Sequence, residues 1–160
     1  MRKASLLVLL SLICIGPVFA QDTPLKKLTK INLSYVEMDE YGKTIGITDE
    51  IIGNQLLVGI KRDLPRVQLV HDQTSSQILI SVGCVEATQG LAVCEIRIEL
   101  KRPAVIHLDD GTLTEQSLAT VWARHQVSSA SSAEMAERVR QFLSQSLTEF
   151  AADYYKQNPN

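Results

Sequence analysis

Sixteen residues, SVGCVEATQGLAVCEI at positions 81–96, restrict the fold of this chain more than any other stretch. Upstream and into it, Ile78, Ile80, Val82 and Cys84 occupy alternate positions, with Ser81 and Gly83 between them. Downstream, Ala92, Cys94, Ile96, Ile98 and Leu100 alternate with Glu95, Arg97, Glu99 and Lys101. A period of two places successive side chains on opposite faces of a strand, so each run reads as a strand with one buried face carrying a cysteine. Thr88-Gln89-Gly90 joins the runs as a three-residue hairpin loop, whose last position favours a left-handed backbone that glycine adopts without steric penalty. With Ala87 and Leu91 closing the loop, Cys84 faces Cys94, Val82 faces Ile96, Ile80 faces Ile98 and Ile78 faces Leu100. Ser81 then lies beside Arg97 on the opposite face. Counted outward from the closing pair, the cysteines form a non-hydrogen-bonded pair with alpha carbons about 4.5 Å apart, within disulfide reach. The spacing therefore predicts a structural Cys84–Cys94 bridge. Closing a loop of about 11 residues contributes roughly 2.5 to 3 kcal/mol on the chain-entropy account. A redox-active pair would need a Cys-x-x-Cys turn at a helix start, and a zinc site would need two further ligands; the sequence supplies neither beside these cysteines.

A disulfide implies an oxidising compartment, and the start of the chain agrees. In MRKASLLVLLSLICIGPVFAQ, Arg2 and Lys3 precede an apolar run, and Val18-Phe19-Ala20 forms a small-residue cleavage signal. Residues 1–20 read as a secretory signal peptide cleaved after Ala20. The apolar run is shorter than the roughly 20 residues of a bilayer span, so no membrane span is expected after cleavage. Cys14 would be the lipidated residue of a lipoprotein, but Ile13 precedes it where a small residue belongs. The chain carries 16 basic and 18 acidic side chains, a formal charge of -2. Without Arg2 and Lys3 the balance is 14 against 18, or -4. Such a chain lacks the basic footprint of a nucleic-acid binder; Lys26-Lys27 with Lys30, and Lys101-Arg102, are its largest basic groups. The expected location is periplasmic or secreted.

Residues 21–29 read as a flexible leader to a single domain at 30–157. Lys30 to Met38 reads as a first strand, and 39–46 as a loop marked by Gly42 and Gly46. Thr48 caps a helix running to about Asp63, with Asp49 and Glu50 set against its dipole and Ile52, Leu56 and Ile60 on its buried stripe. Pro65 ends it. Val67 to Val70 is a short second strand before the cysteine hairpin. Pro103 interrupts the hairpin's second strand and suggests an edge, a bulge or a break before Ala104 to Leu108, with a turn at Asp109-Asp110-Gly111. Leu118 to Val127 is a further strand holding Trp122. SSASS at 128–132 reads as a joint, with Ser131 and Glu134 forming a capping box. The last helix, about Ser132 to Lys156, carries Met135, Val139, Phe142, Leu143, Leu147, Phe150, Ala151 and Tyr154 on one stripe, the pattern of a helix lying on a sheet.

The order β-α-β-β-β-β-α predicts an α/β (α+β) two-layer sandwich, a mainly antiparallel sheet of four to five strands with two helices on one face. In element order, through the run ITDEIIGNQLLVGIKRDLPRVQLV, the chain resembles small envelope modules with TolB amino-terminal-type folds. The resemblance is one of architecture and assigns no site residue.

Catalytic chemistry has few candidates. His107, Asp109 and His125 could form a site for zinc or iron, or serve a small periplasmic hydrolase, if the fold brought them together. His71-Asp72 reads as a loop. No Gly-x-Ser-x-Gly, Gly-x-Gly-x-x-Gly or phosphate-binding loop occurs. The acidic pairs Asp39-Glu40 and Asp109-Asp110 lie in turns without the spacing of calcium loops. No cofactor or metal is expected. The reading that needs no catalytic constellation is an exported, non-catalytic accessory domain with a protein partner in the cell envelope; a small-ligand-binding module is a further alternative. Trp122 with Arg124 is the candidate interaction surface, since both types are enriched in interface hot spots. Core packing is the competing reading for Trp122.

Overall fold

In the computed structural model, which describes residues 24–107 and 113–159, the cysteine hairpin is formed by β3 (Ser76–Thr88) and β4 (Leu91–His107). Its register pairs Cys84 with Cys94, Val82 with Ile96, Ile80 with Ile98, Ile78 with Leu100, and Ser81 with Arg97 on the other face. Cys84 and Cys94 are bridged, with alpha carbons 4.1 Å apart. The turn is tighter than the expected three-residue loop: Thr88 pairs with Leu91, and a register shift between Glu86 and Thr88 leaves Ala87 as the extra residue. Gly90 takes φ +77°, the left-handed conformation that this turn position requires.

The other strands are β1 (Lys30–Met38), β2 (Gln68–Val70) and β5 (Leu113–Ser131). Together they make one five-stranded sheet in the order β2-β1-β3-β4-β5. β1 runs parallel to β2 and β3, while the longest ladders, β3–β4 and β4–β5, are antiparallel. Helix α2 (Asp49–Asp63) supplies the crossover from β1 to β2, and α3 (Ser132–Gln157) follows β5. Both pack on one face of the sheet, giving the expected two-layer α/β sandwich. Thr48 accepts from the Ile51 N–H and caps α2. Ile52, Leu56 and Ile60 are buried on the stripe the sequence marks, as are all eight predicted apolar positions of α3. The two helices pass closely at Gly59, where an added Cβ would sit 2.5 Å from Leu147 Cδ1.

Five local expectations are corrected or narrowed. The loop at 39–46 contains a short helix, α1 (Glu40–Thr44), whose N-cap Asp39 accepts from the Gly42 N–H and from the Cys84 N–H of β3. Of the alternatives at Pro103, the edge describes the geometry and the break does not, since β4 continues to His107. The close Cys84–Cys94 pair is of the non-hydrogen-bonded kind, so odd-numbered residues of β4 point their backbone groups toward β3. β3 pairs only as far as Lys101, so the donor that Pro103 lacks faces an edge where β3 has ended. The serine joint is part of β5, with Ser128 and Ala130 buried against the helix layer. Ser131 does not make a capping box; its hydroxyl bonds the Glu134 carboxylate instead of a helix N–H.

The last correction concerns the leader. Leu25 and Leu28 are fully buried, and the segment is clipped to the end of α3: the Leu25 N–H donates to Gln157 Oε1 at 2.7 Å and the Lys27 N–H to Asn158 Oδ1 at 2.9 Å. Arg102 Nη1 also donates to the carbonyls of Pro24 and Lys26. Two leucines three apart outweigh the polar residues around them, because both reach the core. The signal peptide at 1–20 and the turn at Asp109-Asp110-Gly111 lie outside the described residues.

Candidate functional site

The helices cover one face of the sheet, and among the described residues no helix or strand covers the other. The alternation of β3 and β4 places Ser81, Glu95, Arg97, Glu99 and Lys101 there. Their charges interlock along β4: Arg97 lies 3.4 Å from Glu95 and 4.0 Å from Glu99, and Lys101 3.6 Å from Glu99. From β5, His125 Nε2 meets Glu95 Oε1 at 3.0 Å. These are exposed or half-exposed pairs, worth about 0–1 kcal/mol each, so they shape the surface more than they hold the fold. Between this row and the end of β1 lies a groove of about 390 Å³ lined by Glu37, Asp39, Ser81, Gly83, Glu95 and Arg97.

Toward the hairpin turn the same face becomes apolar. Val85 pairs with Val93, and Val127 on β5 pairs with Glu95 in the next row. Val85 is 62% and Val127 61% exposed, so large aliphatic side chains lie in water beside a charged row. An exposed apolar group rimmed by charge is the usual composition of a contact surface.

β5 is the sheet's outer strand, and its register fixes which backbone groups are available. Cys94 points its N–H and C=O away from β3 and toward β5, where it pairs with Ser128. Even-numbered residues Trp122, Arg124, Gln126 and Ser128 therefore bond β4. Ala123, His125, Val127 and Ser129 point their backbone donors and acceptors outward, and their side chains stand on the uncovered face. The opposite edge, β2, has only three residues. Edges are commonly protected by lysine, proline or brevity. β2 uses brevity; the 19 residues of β5 contain neither lysine nor proline.

Of the proposed surface pair, Trp122 is half-buried and Arg124 is exposed, and both contact α3. Trp122 is half-buried against Phe150 of α3, ring centroids 4.9 Å apart, and its Nε1–H donates to Asp153 at 3.1 Å. Arg124 stacks 5.7 Å from the indole and binds Glu149 at 2.6 Å. The Gln145 side chain, followed by Arg124, holds the Glu149 carboxyl below its usual range. Both residues dock α3 on β5, so the competing core reading of Trp122 describes the geometry. The outward backbone groups of β5 belong to their odd-numbered neighbours. A strand's alternation carries this signal, but in LATVWARHQV the aromatic residue draws attention to the wrong face.

The histidine triad does not assemble. His125 pairs with Arg97, ten residues along β4 from His107, a separation of about 30 Å on an extended strand. Asp109 lies outside the described residues. Among the described residues no group of three His, Cys, Asp or Glu side chains is placed to hold a metal ion. His71 is exposed ahead of a turn in which Asp72 accepts from the Thr74 N–H and from the hydroxyls of Thr74 and Ser75, bonds that lower its carboxyl pKa. Asp39-Glu40 is likewise structural: Asp39 caps α1, and Glu40 pairs with Lys43 at 2.8 Å.

No protein-family model matches the chain, and no curated protein matches it. Among solved structures, a variant PelC dodecamer from Paraburkholderia phytofirmans is similar at 16% identity, TM-score 0.44, over 76% of this chain and 84% of that one. A minor lipoprotein from Acinetobacter baumannii is similar at 12% identity, TM-score 0.28, over 82% and 92%. Among the described residues no helix is long and apolar enough to cross a membrane.

Proposed function

We propose that this protein is an exported, non-catalytic accessory domain of the cell envelope that binds an extended segment of a partner protein along the free edge of β5. The observation that carries the reading is the outward ladder of Ala123, His125, Val127 and Ser129, unguarded by lysine or proline and flanked by exposed Val127 and Val85. Strand addition draws affinity from main-chain hydrogen bonds and selectivity from alternate side chains. The preferred segment places aliphatic side chains over Ala123 and Val127, and an acidic or hydroxyl group near His125 and Arg97. The bridged cysteines support an oxidising compartment, and the basic, apolar and small-residue order of residues 1–20 supports export with cleavage after Ala20.

The test uses Val127→Pro. Its N–H faces outward, so proline removes a donor needed by an incoming strand while sparing the β4 ladder. A partner captured from envelope extract should slow hydrogen exchange at Ala123, His125, Val127 and Ser129 in alternation, and Val127→Pro should lose the partner while unfolding like the parent. Undiminished capture by a folded Val127→Pro, or protection that avoids these four amides, refutes the edge. Turnover abolished by changing His107 or His125 would instead favour the enzyme reading.

A further inference from the structure

At the opposite end of the sheet from the hairpin turn, a groove of about 310 Å³ gathers side chains that the β5 edge does not use: Lys27, Thr29 and Lys30 from the start of the chain, Ser75 and Ser76 from β3 and the turn before it, and Arg102 from β4. The three cations are brought together from opposite ends of the fold, and none makes an ion pair among the described residues. Asp72 feels Lys30 but is already engaged by Thr74 and Ser75. Three cations thus line one groove of a chain whose overall charge is -2.

The backbone gives a second, independent sign. Lys27 has φ +59° and, among the described residues, is the sole non-glycine residue at positive φ. A residue with a Cβ pays for that conformation, and such strained positions persist where neighbours over-determine them, often at ligand clamps. Here the neighbour is Asn158: its Oδ1 accepts from the Lys27 N–H, and its Nδ2 donates to the carbonyls of Leu25 and Tyr154. Glycine would fit the turn better, yet a lysine occupies it beside the groove. Arg102 is similarly positioned. Its Nη1 is held by the carbonyls of Pro24 and Lys26, at 2.8 and 3.1 Å, which fixes the plane of the guanidinium and leaves the rest of its fork for another acceptor.

We infer that this groove binds a phosphoryl oxyanion, inorganic phosphate or a phosphate-bearing headgroup, between Lys27, Lys30 and Arg102. A phosphomonoester carries about -1.5 to -2 near neutral pH, and its tetrahedral oxygens suit the three cations of the lining. The volume is that of about ten waters, room for the anion and its first hydration layer. This site is separate from the β5 edge and stands or falls independently of it.

The experiment is an NMR titration of the purified protein with inorganic phosphate, against sodium chloride at equal ionic strength. A second arm measures co-flotation with phosphatidylglycerol vesicles against phosphatidylcholine vesicles. Saturable shifts at Lys27, Thr29, Lys30 and the Arg102 Nε–H, absent with chloride, assign the site to free phosphate; flotation only with the anionic vesicles assigns it to a headgroup. In either case Lys27→Gln with Lys30→Gln should weaken binding about tenfold or more for each charge-assisted hydrogen bond lost. Lys27→Gly provides the control against misfolding: its melting midpoint should be unchanged or higher while its affinity falls. No saturable response in either arm, or equal binding by the double variant, overturns the inference.

Discussion

Replacing both Cys84 and Cys94 by alanine tests the feature on which the register rests. The two residues are 10 apart in sequence, so the bridge closes a loop for which the chain-entropy relation gives about 2.8 kcal/mol at 25 °C. Both side chains are buried, and removing two sulfurs from the core adds a packing loss of about 1 kcal/mol. The double variant should therefore lose about 3 to 4 kcal/mol, a large part of the 5–15 kcal/mol typical of a folded domain. Urea unfolding followed by the fluorescence of Trp122, the sole tryptophan, reads this directly. For a slope near 2 kcal/mol/M the midpoint should fall by about 1.5 to 2 M. Oxidised parent treated with reductant under denaturing conditions and refolded should lie between the two, because it loses the bridge and keeps the sulfurs. Coincident midpoints for oxidised and reduced parent would refute the reasoning, since the hairpin would then be held by its ladder alone. Free thiols at both positions in mass spectrometry without reductant would refute the bridge itself.

Two further outcomes follow from the geometry. Trp122→Ala should cost about 2 to 3 kcal/mol through lost contact with Phe150 and the Asp153 hydrogen bond, whereas Arg124→Ala, removing an exposed pair with Glu149, should cost less than about 1 kcal/mol; equal effects in thermal melts would contradict the docking role given to the indole. Asp63, Asp72, Glu137 and Glu149 all have carboxyl pKa values lowered in the folded state, by Arg62, the Thr74 N–H, Arg140 and Gln145 respectively. A depressed folded pKa contributes stability above the unfolded value that disappears as pH falls through the folded one, so the urea midpoint should hold near neutrality and drop below about pH 4.5. A midpoint that rises on acidification through that range would reverse the sign of the argument.

The legible parts of the fold are those whose signals are local and two-faced. β3 and β4 alternate an apolar inner row with a mixed outer one, charged from Glu95 to Lys101, because one face meets helices and the other does not. α2 and α3 carry their stripes for the same reason. β5 was harder to bound. As an outer strand it is wet on the uncovered face and partly wet on the other, so SSASS has the composition of a loop while Ser128 and Ala130 are buried. α1 depends on Asp39 reaching Cys84, 45 residues away, and no local pattern marks that contact. The leader is not legible as ordered because Leu25 and Lys27 find their backbone partners at Gln157 and Asn158, at the far end of the sequence. The phosphoryl groove was half visible: Lys26-Lys27 and Lys30 stand out in the sequence, but only folding brings Arg102 to them. Composition marks Trp122 and Arg124 but cannot say whether such residues meet their own helix or another chain; in the fold they contact Phe150, Asp153 and Glu149 of α3.

The inequality of the two sheet margins limits what can be built from this molecule. β2 has three residues and covers β1 only over Lys30–Asn32, while β5 runs for 19 residues. A strand added along β5 would therefore find a longer ladder than one added along β2.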